Sequence, residues 1–375
     1  MAANLVFVSD PDLIETMFRR TNTDFQMTLN RRMESESAAR GEAALDAWML
    51  ARRRSSSVLH TAANPTMDEE LTEHVRAWVR VGEPTDLVGD LSRLNLRSTA
   101  RLVTGTSDPA LEEATLALLS PLTEVVDQGT RLRGVLALLT RRHRHARSRD
   151  TLLQNQIQAV AHPDSLVGEL ARAGVEPQVV TNFAVAMLLA GSVVPGAAGA
   201  WVLAMLAAHP QWQERARTDE TARTWLINET LRLYPPTWLI SRMVAQDGIY
   251  AGWRLRAGDE LVLSPYVSHR DAQVFPDPEE FRPERWNGLH PRINEYFPFG
   301  AGARRCVGAE LSLARLDHLV REVLQAGTVE GPAPTGMSTT ITLVPQNLRL
   351  RFRSTKGGLP GQGDQFRPGP GPGLA

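Results

Sequence analysis

The stretch Phe297–Leu311, FPFGAGARRCVGAEL, contains Cys306, the only cysteine of the 375-residue chain. One cysteine cannot close a disulfide within the chain, so it is either a buried apolar side chain in a turn or a reactive thiolate. Gly300, Gly302 and Gly308 flank it, two arginines precede it, and an apolar helical pattern follows. We expect the glycines to permit positive φ and close approach to a flat ligand, and the helix start to stabilise a thiolate.

The motif Phe299–Gly308 has Phe, Gly, Gly, Arg, Cys and Gly at fixed positions and resembles the haem-binding loop of the cytochrome P450 family. The resemblance implies that Cys306 is the thiolate ligand of the iron of haem b. It also implies that Phe299 packs beside the sulfur and that Arg304 reaches a haem propionate. Backbone N–H groups after Cys306, including that of Gly308, would moderate the charge of the thiolate.

Further elements occur in the order found in that family. Trp48 and Arg52 share one helix face, and the resemblance implies that both hold a propionate; an ordinary amphipathic helix is the alternative. Glu229-x-x-Arg232, together with Arg285, is similar to the family's structural triad of charges beneath the haem loop. An E-x-x-R pair alone carries little information, because many helices contain one.

Two more positions match the family between and beyond these motifs. Arg242 matches a position that often binds a propionate in bacterial members. His269 begins the tripeptide His269-Arg270-Asp271 at the end of a predicted strand. We expect it to be a hydrogen-bonded structural histidine, with metal ligation as the alternative.

The resemblance covers about residues 5–353 and implies one cytochrome P450 domain over residues 1–353. Its fold would be mainly α with small β-sheets, with the haem between a long central helix and the helix after Cys306. The family begins with a helix and a strand that this chain lacks, so the N-terminal part of the fold is expected to be short, either by truncation or in the native protein. Residues 354–375 are rich in Gly and Pro and are expected to be a disordered tail.

Local patterns predict the remaining elements. Leu5–Val8 reads as a strand, and Asp10 followed by proline begins a helix. A break at residues 82–84 separates two helices. Alternating apolar residues predict short strands joined by a turn within Ile249–Leu263 and a final hairpin pair within Thr339–Phe352.

Composition excludes several classes of partner. The formal net charge is −1, which gives no reason to expect nucleic-acid or anionic-membrane binding. The basic run at 141–149 lacks interleaved aromatic residues, so we interpret it as a solvated helix face. Phe183–Ala208 carries no charge and is long enough to span a bilayer, but without a basic flank it better fits a buried central helix. We expect a cytoplasmic protein with no signal peptide and no membrane insertion.

The central helix departs from the family pattern Ala-Gly-x-acid-Thr. The chain has Ala190, Gly191, Ser192, Val193 and Val194 at those positions, followed by proline. The acid and the alcohol that would deliver protons at the catalytic site are therefore both valine, which exchanges no proton. We expect the proline to open the helix and a water to bind the freed carbonyl of Gly191. Ser192, or a shifted register, is the alternative source of the missing group.

The substrate is expected to be lipophilic, because the positions over the haem and around it are chiefly apolar. By resemblance, residues 22–42 form part of a lid over the substrate. The other expected pocket residues are Ala190, Val194, Thr237, Trp238, Leu239, Ile240 and Leu343.

The expected activity is that of a haem-thiolate monooxygenase acting on a lipophilic small molecule in bacterial secondary metabolism, for example antibiotic biosynthesis. It would use O2 and take electrons from a ferredoxin and a ferredoxin reductase, since no reductase module is present. The alternatives are oxidative coupling, desaturation, rearrangement or peroxide-driven chemistry. A non-catalytic haem-binding scaffold is the rival from another class.

Overall fold

The computed structural model describes residues 4–27, 42–62, 69–83, 86–117, 154–339 and 342–354. These residues form a mainly helical fold with small β-sheets, as the sequence predicted. The α-helices with both ends among these residues are α1 (Pro11–Arg19), α2 (Glu42–Ala62), α3 (Glu69–Val81), α4 (Leu87–Thr104), α5 (Leu166–Arg172), α6 (Pro177–Ala190), α7 (Val193–Ala208), α8 (Pro210–Thr218), α9 (Glu220–Leu233), α10 (Pro265–Ser268) and α11 (Ala309–Ala326). Residues 109–117 and 154–160 are also helical. Their strands are β1 (Leu5–Val8), β2 (Phe25–Gln26), β3 (Ile240–Val244), β4 (Gly248–Tyr250), β5 (Trp253–Leu255), β6 (Glu260–Leu263), β7 (Gly327–Glu330), β8 (Gly336–Thr339), β9 (Leu343–Gln346) and β10 (Arg351–Ser354).

Side-chain caps set several helix ends where the sequence places them. The carboxylate of Asp10 accepts the N–H of Leu13 (2.8 Å) at the start of α1, as expected for an N-cap. Asp86 caps α4 in the same way through the N–H of Gly89 (3.0 Å). Gly105 ends α4 in the left-handed conformation (φ 86°) that glycine adopts without strain.

The main core surrounds α7, whose residues from 196 to 207 are all buried. Helices α4, α9 and α11 contact it on several sides. A helix that is apolar all round requires such an environment, so burial accounts for the uncharged stretch. By length and composition alone the segment Pro177–Ala208 also meets the requirements for a membrane span, and more than half of its most apolar window is buried inside the protein.

The apolar segment is not one continuous helix. Helix α6 ends at Ala190, Gly191 and Ser192 form a turn, and α7 begins at Val193. Proline at position 195 explains the break, because it offers no N–H to the carbonyl four residues earlier. The predicted opening of the helix therefore occurs, and it extends to a complete interruption.

The largest sheet has the strand order β1-β6-β3-β2. Strand β1 is parallel to β6, whereas β3 is antiparallel to both β6 and β2. The buried face of α1 packs on this sheet through Leu13, Ile14, Met17 and Phe18. Phe297 joins the same cluster, so α1 links the sheet to the start of the cysteine loop.

Three expectations from the sequence need correction. Residues 22–27 form a turn and β2 rather than a lid loop, and Phe25 is completely buried in the core. The last strands do not pair with each other: β9 pairs with β8, and β10 pairs with β7. Ser354 belongs to β10 and not to a tail. Residues 28–41, the basic run at 141–149 and residues 355–375 lie outside the described residues.

Candidate functional site

Cys306 lies immediately before α11, on an exposed part of the loop. Its backbone N–H donates to the carbonyl of Phe299 (2.9 Å), which closes the loop beneath the sulfur. Gly308 is the N-cap residue of α11, and its backbone N–H acts to lower the pKa of the Cys306 thiol. The side chain is thus accessible at a helix start and is not packed in the core.

Although the Cys306 side chain is accessible, the protein atoms packed around it desolvate the sulfur and raise its pKa, and the N–H of Gly308 and the charges of Arg52 and Arg305 only partly oppose this. The helix start and the two arginines therefore act in the direction expected, towards the thiolate, but desolvation outweighs them. A cation bound to the sulfur would lower its pKa. Within the described ranges there is no group of three or more His, Cys, Asp and Glu residues that could hold a metal.

The two glycines before Cys306 have left-handed backbone conformations, with φ of 63° at Gly300 and 67° at Gly302. A Cβ on Gly302 would lie 2.1 Å from the backbone carbonyl oxygen of Phe18, at the end of α1. At Gly302 the close approach that requires glycine is made to α1. Edge-to-face packing of Phe18 on Phe297 (5.1 Å between ring centroids) adds a second contact between α1 and the loop.

Three arginines predicted to hold propionates converge beside the cysteine loop. Arg52 donates to the carbonyl of Arg305 (2.5 Å). Arg242 is buried, with 4% of its surface exposed, and desolvation together with the charges of Arg304 and Arg52 lowers its pKa to about 10. Within the described ranges, neither Arg52 nor Arg242 forms an ion pair with a carboxylate. The cluster is a concentrated positive charge suited to anionic groups.

Trp48 is placed differently from the arginine four residues after it. Its ring packs edge-to-face on Phe183 of α6, with centroids 5.1 Å apart. It is half-buried against the cluster formed by α4, α5 and α6. Trp48 therefore anchors α2 to α6, the helix that precedes the central break, which is the interruption at Gly191 and Ser192 between α6 and α7.

Sequence reasoning missed two residues of the turn after α1. Thr21 accepts a hydrogen bond from Nε of Arg242 (3.3 Å), and Asn22 accepts one from Nε of Arg304 (2.8 Å). Both contacts join residues more than 200 positions apart, so no local pattern reveals them. The one signal in the sequence is the asparagine itself, which tolerates the left-handed conformation found there (φ 81°).

The three charges of the predicted triad meet in the interior. Glu229 accepts hydrogen bonds from Arg232 (2.8 and 2.9 Å) and from Arg285 (3.0 Å). The indole N–H of Trp286 (3.0 Å) and the backbone N–H of Arg282 (2.9 Å) complete its coordination. Arg232 also donates to the carbonyls of His269, Pro278 and Glu280. A fully buried ion pair is stable only when its polar atoms have hydrogen-bond partners of this kind.

His269 is a structural residue. It is completely buried, and its Nε2 accepts the backbone N–H of Phe297 (2.9 Å) at the start of the cysteine loop. Desolvation lowers its pKa to about 3, so it is neutral at physiological pH. Its contacts link the loop to the backbone around the triad.

At the central break the hydroxyl of Thr99 on α4 donates to the carbonyl of Gly191 (3.1 Å). This is the carbonyl for which we expected a water partner, and a protein hydroxyl donates to it. The helices approach closely here, since a Cβ on Gly191 would lie 2.5 Å from the Thr99 hydroxyl. A second glycine, Gly196, makes a similar contact with Ser92.

The other residues of the break differ in exposure. Ser192 is completely buried, and its hydroxyl donates to the carbonyl of Leu189 (2.9 Å). Val193 and Val194 are half-buried, and Ala190 is exposed. The hydroxyl of Ser192 therefore does not line an accessible cavity, whereas its apolar neighbours retain accessible surface.

The expected pocket residues after α9 are accessible. Thr237 and Leu239 are exposed, whereas Trp238 and Ile240 are half-buried. Ile240 lies beside the cysteine loop, with Cδ1 3.9 Å from the position of a Cβ on Gly300.

Leu343 is an exception. Its side chain is 1% exposed, its N–H donates to the carbonyl of Pro236, and its carbonyl accepts the indole N–H of Trp201. It fills the interior instead of lining a cavity, which corrects that expectation.

Comparison with known proteins agrees with this arrangement. The family model described as Cytochrome P450 matches residues 139–344. A relative from Mycobacterium tuberculosis whose name places it in this family is 34% identical over 46% of the chain and 38% of its own length. Cyclooctat-9-en-7-ol 5-monooxygenase of Streptomyces melanosporofaciens is 28% identical over 72% of the chain and 68% of its own length. The match to the Mycobacterium protein thus spans well under half of that relative.

Solved structures match over most of the chain. CYP175A1 from Thermus thermophilus superposes with a TM-score of 0.71 at 27% identity, covering 93% of this chain and 89% of that one. A 6-coordinated cytochrome P450 from another strain of the same organism gives a TM-score of 0.65 at 25% identity, with coverages of 93% and 92%. The family match extends over more than half of the sequence, and the fold agrees with it. The chain belongs to the cytochrome P450 family.

Proposed function

We propose that this protein binds haem b through the thiolate of Cys306 and oxidises a lipophilic small molecule. The observation that carries the proposal is the position of Cys306, an exposed sulfur at a helix start. Beside it lie Arg52 and Arg242, which form no ion pair with a carboxylate of the described residues. A thiolate-bound haem supplies activation of O2 for oxidation of C–H bonds.

The residues present fit a haem. Its two propionates would complement Arg52, Arg242 and Arg304, and their charge would oppose the desolvation and the repulsion by Arg304 and Arg52 that lower the pKa of Arg242. The half-buried Phe299 would pack beside the sulfur, and the N–H groups of Gly308 and its neighbours would temper the charge of the thiolate. Trp48 supports the site through its packing on α6, and its indole N–H remains a candidate propionate donor.

The triad of Glu229, Arg232 and Arg285 would be structural. Its contacts fix the backbone beneath the cysteine loop, and His269 transmits this support to Phe297. Neither the triad nor His269 would touch substrate.

The central break determines what the chain can do with protons. Gly191 and Ser192 contribute only backbone and a buried hydroxyl, and Val193 and Val194 offer apolar surface. Thr99 already uses its hydroxyl proton on the Gly191 carbonyl. Protons for the reaction would therefore come from ordered water or from a polar group of the substrate.

The substrate class follows from the accessible residues Ala190, Val194, Trp238, Leu239 and Ile240, which are apolar. Thr237 adds one polar group to this surface. The Streptomyces relative acts, by its name, on cyclooctat-9-en-7-ol. We infer a lipophilic substrate of bacterial secondary metabolism for this chain, in a pathway such as antibiotic biosynthesis.

Electrons would come from a ferredoxin and its reductase. Arg305 of the cysteine loop is exposed, as is Arg54, two residues after Arg52 on α2, and a basic surface there would attract an acidic partner. The burial of α7 supports a cytoplasmic protein without membrane insertion, and no part of the proposal involves nucleic acid.

Val193 and Val194 stand where the family usually has an acid and an alcohol, which favours a second set of possible reactions. Oxidative coupling, desaturation, rearrangement or peroxide-driven oxidation would depend less on proton delivery. A haem-binding scaffold without turnover is the remaining candidate.

Turnover assays distinguish these functions. With a ferredoxin, a reductase and NAD(P)H, or with peroxide, an enzyme converts candidate substrates, whereas a scaffold holds haem and converts none. If proton supply limits the reaction, the Val193→Asp/Val194→Thr variant should form more product per electron consumed. The Val193→Asn/Val194→Thr variant is the matched control, because asparagine has the shape of aspartate but cannot transfer a proton. Equal coupling in all three proteins would contradict the role given to the valines.

A further inference from the structure

The turn that follows α1 is held rigidly from both sides. Met17 and Phe18, which precede it, are completely or almost completely buried, and so is Phe25, which follows it. Within the turn the N–H of Asn22 donates to the carbonyl of Phe25 (2.8 Å). The hydroxyl of Thr21 donates to the carbonyl of Met17 (2.6 Å), which fixes its direction. A rigid turn can aim the groups bonded to it.

Two arginines of the cluster are bonded to this turn. Nε of Arg242 donates to the hydroxyl oxygen of Thr21, and Nε of Arg304 donates to the amide oxygen of Asn22. An arginine side chain is long and loses much rotamer freedom on ordering. Contacts that order it before a ligand arrives reduce the cost of binding that ligand.

The two acceptors, Thr21 and Asn22, are neutral, so they do not neutralise the positive charges of Arg242 and Arg304. A carboxylate at either position would pair with the arginine and compete with an anionic ligand. The turn does contain a carboxylate, Asp24, but it pairs with Arg20 and accepts a hydrogen bond from Gln246 (3.2 Å). The acidic group of the turn is therefore engaged by partners outside the arginine cluster.

The same segment also supports the cysteine loop, because the carbonyl of Phe18 contacts Gly302. Arg242 belongs to β3, whereas Arg304 belongs to the loop. The turn thus connects two elements that approach the site independently. We propose that Thr21 and Asn22 are positioning residues that aim Arg242 and Arg304 at the haem propionates, an inference that rests on the proposed haem binding.

The test measures release of haem and requires no turnover. Full-length holoprotein is mixed with excess apomyoglobin, and the transfer of haem is followed optically. Asn22→Gly removes the acceptor but keeps a residue suited to φ 81°, and Thr21→Val removes the hydroxyl at similar volume. We expect each variant to release haem about three- to tenfold faster than the wild type, and the double variant to multiply the two effects.

Two control variants distinguish a loss of arginine positioning from a general destabilisation of the fold. Asn347 is also left-handed (φ 53°) and bonds Thr335 (3.3 Å) through its side chain, so Asn347→Gly is the matched substitution and should release haem at the wild-type rate. Thr21→Ser keeps the hydroxyl and should also behave as the wild type. Asn22→Asp should release haem faster, because its carboxylate neutralises Arg304.

The outcomes are distinguishable. If the wild type takes up no haem, the proposed function fails and this inference with it. If the wild type holds haem and the Asn22→Gly and Thr21→Val variants release it at the wild-type rate, only the inference is overturned. A lower melting temperature of the haem-free variants with unchanged haem release likewise overturns it.

Discussion

The hydroxyl of Thr99 on α4 donates a hydrogen bond to the backbone carbonyl of Gly191, 92 positions further along the chain. Proline at 195 leaves this carbonyl without its helical donor, and the neighbouring helix supplies a replacement. The break in the central segment is therefore built into the packing of two helices.

Thr99→Val should lower the free energy of unfolding by about 1–2 kcal/mol, because the carbonyl of the half-buried Gly191 loses its donor. Denaturant unfolding of the haem-free protein measures this loss. Thr115→Val is the matched control: Thr115 is completely buried, and its hydroxyl donates to the carbonyl of Leu111 (2.8 Å) within its own helix. That carbonyl keeps its backbone donor, so the control should lose less, about 0.5–1 kcal/mol. Equal losses would contradict the account of the break.

Glu229→Gln should destabilise the protein by about 3–5 kcal/mol or prevent folding, because Arg232 would remain buried without its carboxylate. Thermal and denaturant unfolding measure the change. Glu330→Gln is the control, since Glu330 pairs with Arg353 (2.8 Å) at an exposed site, where such pairs contribute about 0–1 kcal/mol. A loss at Glu229 no larger than the loss at Glu330 would show that the triad is not a support of the fold.

Stability should fall as the pH drops below about 6.5, in part because of His269. Desolvation lowers its pKa from 6.5 to about 3, with Arg232 and Arg270 adding to the effect. Between these values the unfolded chain binds a proton that the folded protein does not, so this contribution to stability is fully present above about pH 6.5 and is lost on acidification. This residue contributes a slope of up to about 1.4 kcal/mol per pH unit.

His269→Gln tests this contribution, because glutamine can accept the N–H of Phe297 without titrating. Urea unfolding between about pH 7.5 and about pH 4.5, a range that brackets the ordinary histidine pKa, should show a shallower loss of stability in the variant. Parallel curves for the two proteins would mean that His269 is not the titrating group.

Sequence alone predicted the parts of the site that local spacing encodes. The cysteine motif, the Glu229–Arg232 pair and the cap at Asp10 each lie within a few residues, and the structure brings these groups together as expected. The contacts of Thr21, Asn22 and Thr99 join distant segments, so only the folded chain reveals them. The partner of β9 was misjudged for the same reason: alternation predicts a strand but not the strand beside it.

The pKa of Cys306 illustrates a second limit. The sequence correctly indicated a glycine-rich loop and a helix start, both of which favour an anion. Protein atoms packed around the accessible sulfur desolvate it and outweigh them, and this packing cannot be read from the local motif.

The most direct test of the account is the absorption spectrum of the reduced protein under carbon monoxide. Purified protein should hold haem, and its ferrous complex with carbon monoxide should show the red-shifted Soret band that an anionic sulfur ligand produces. The Cys306→Ala variant should lose this band. A wild-type protein that takes up no haem, or a Cys306→Ala variant with an unchanged spectrum, would contradict the assignment of Cys306 as the iron ligand.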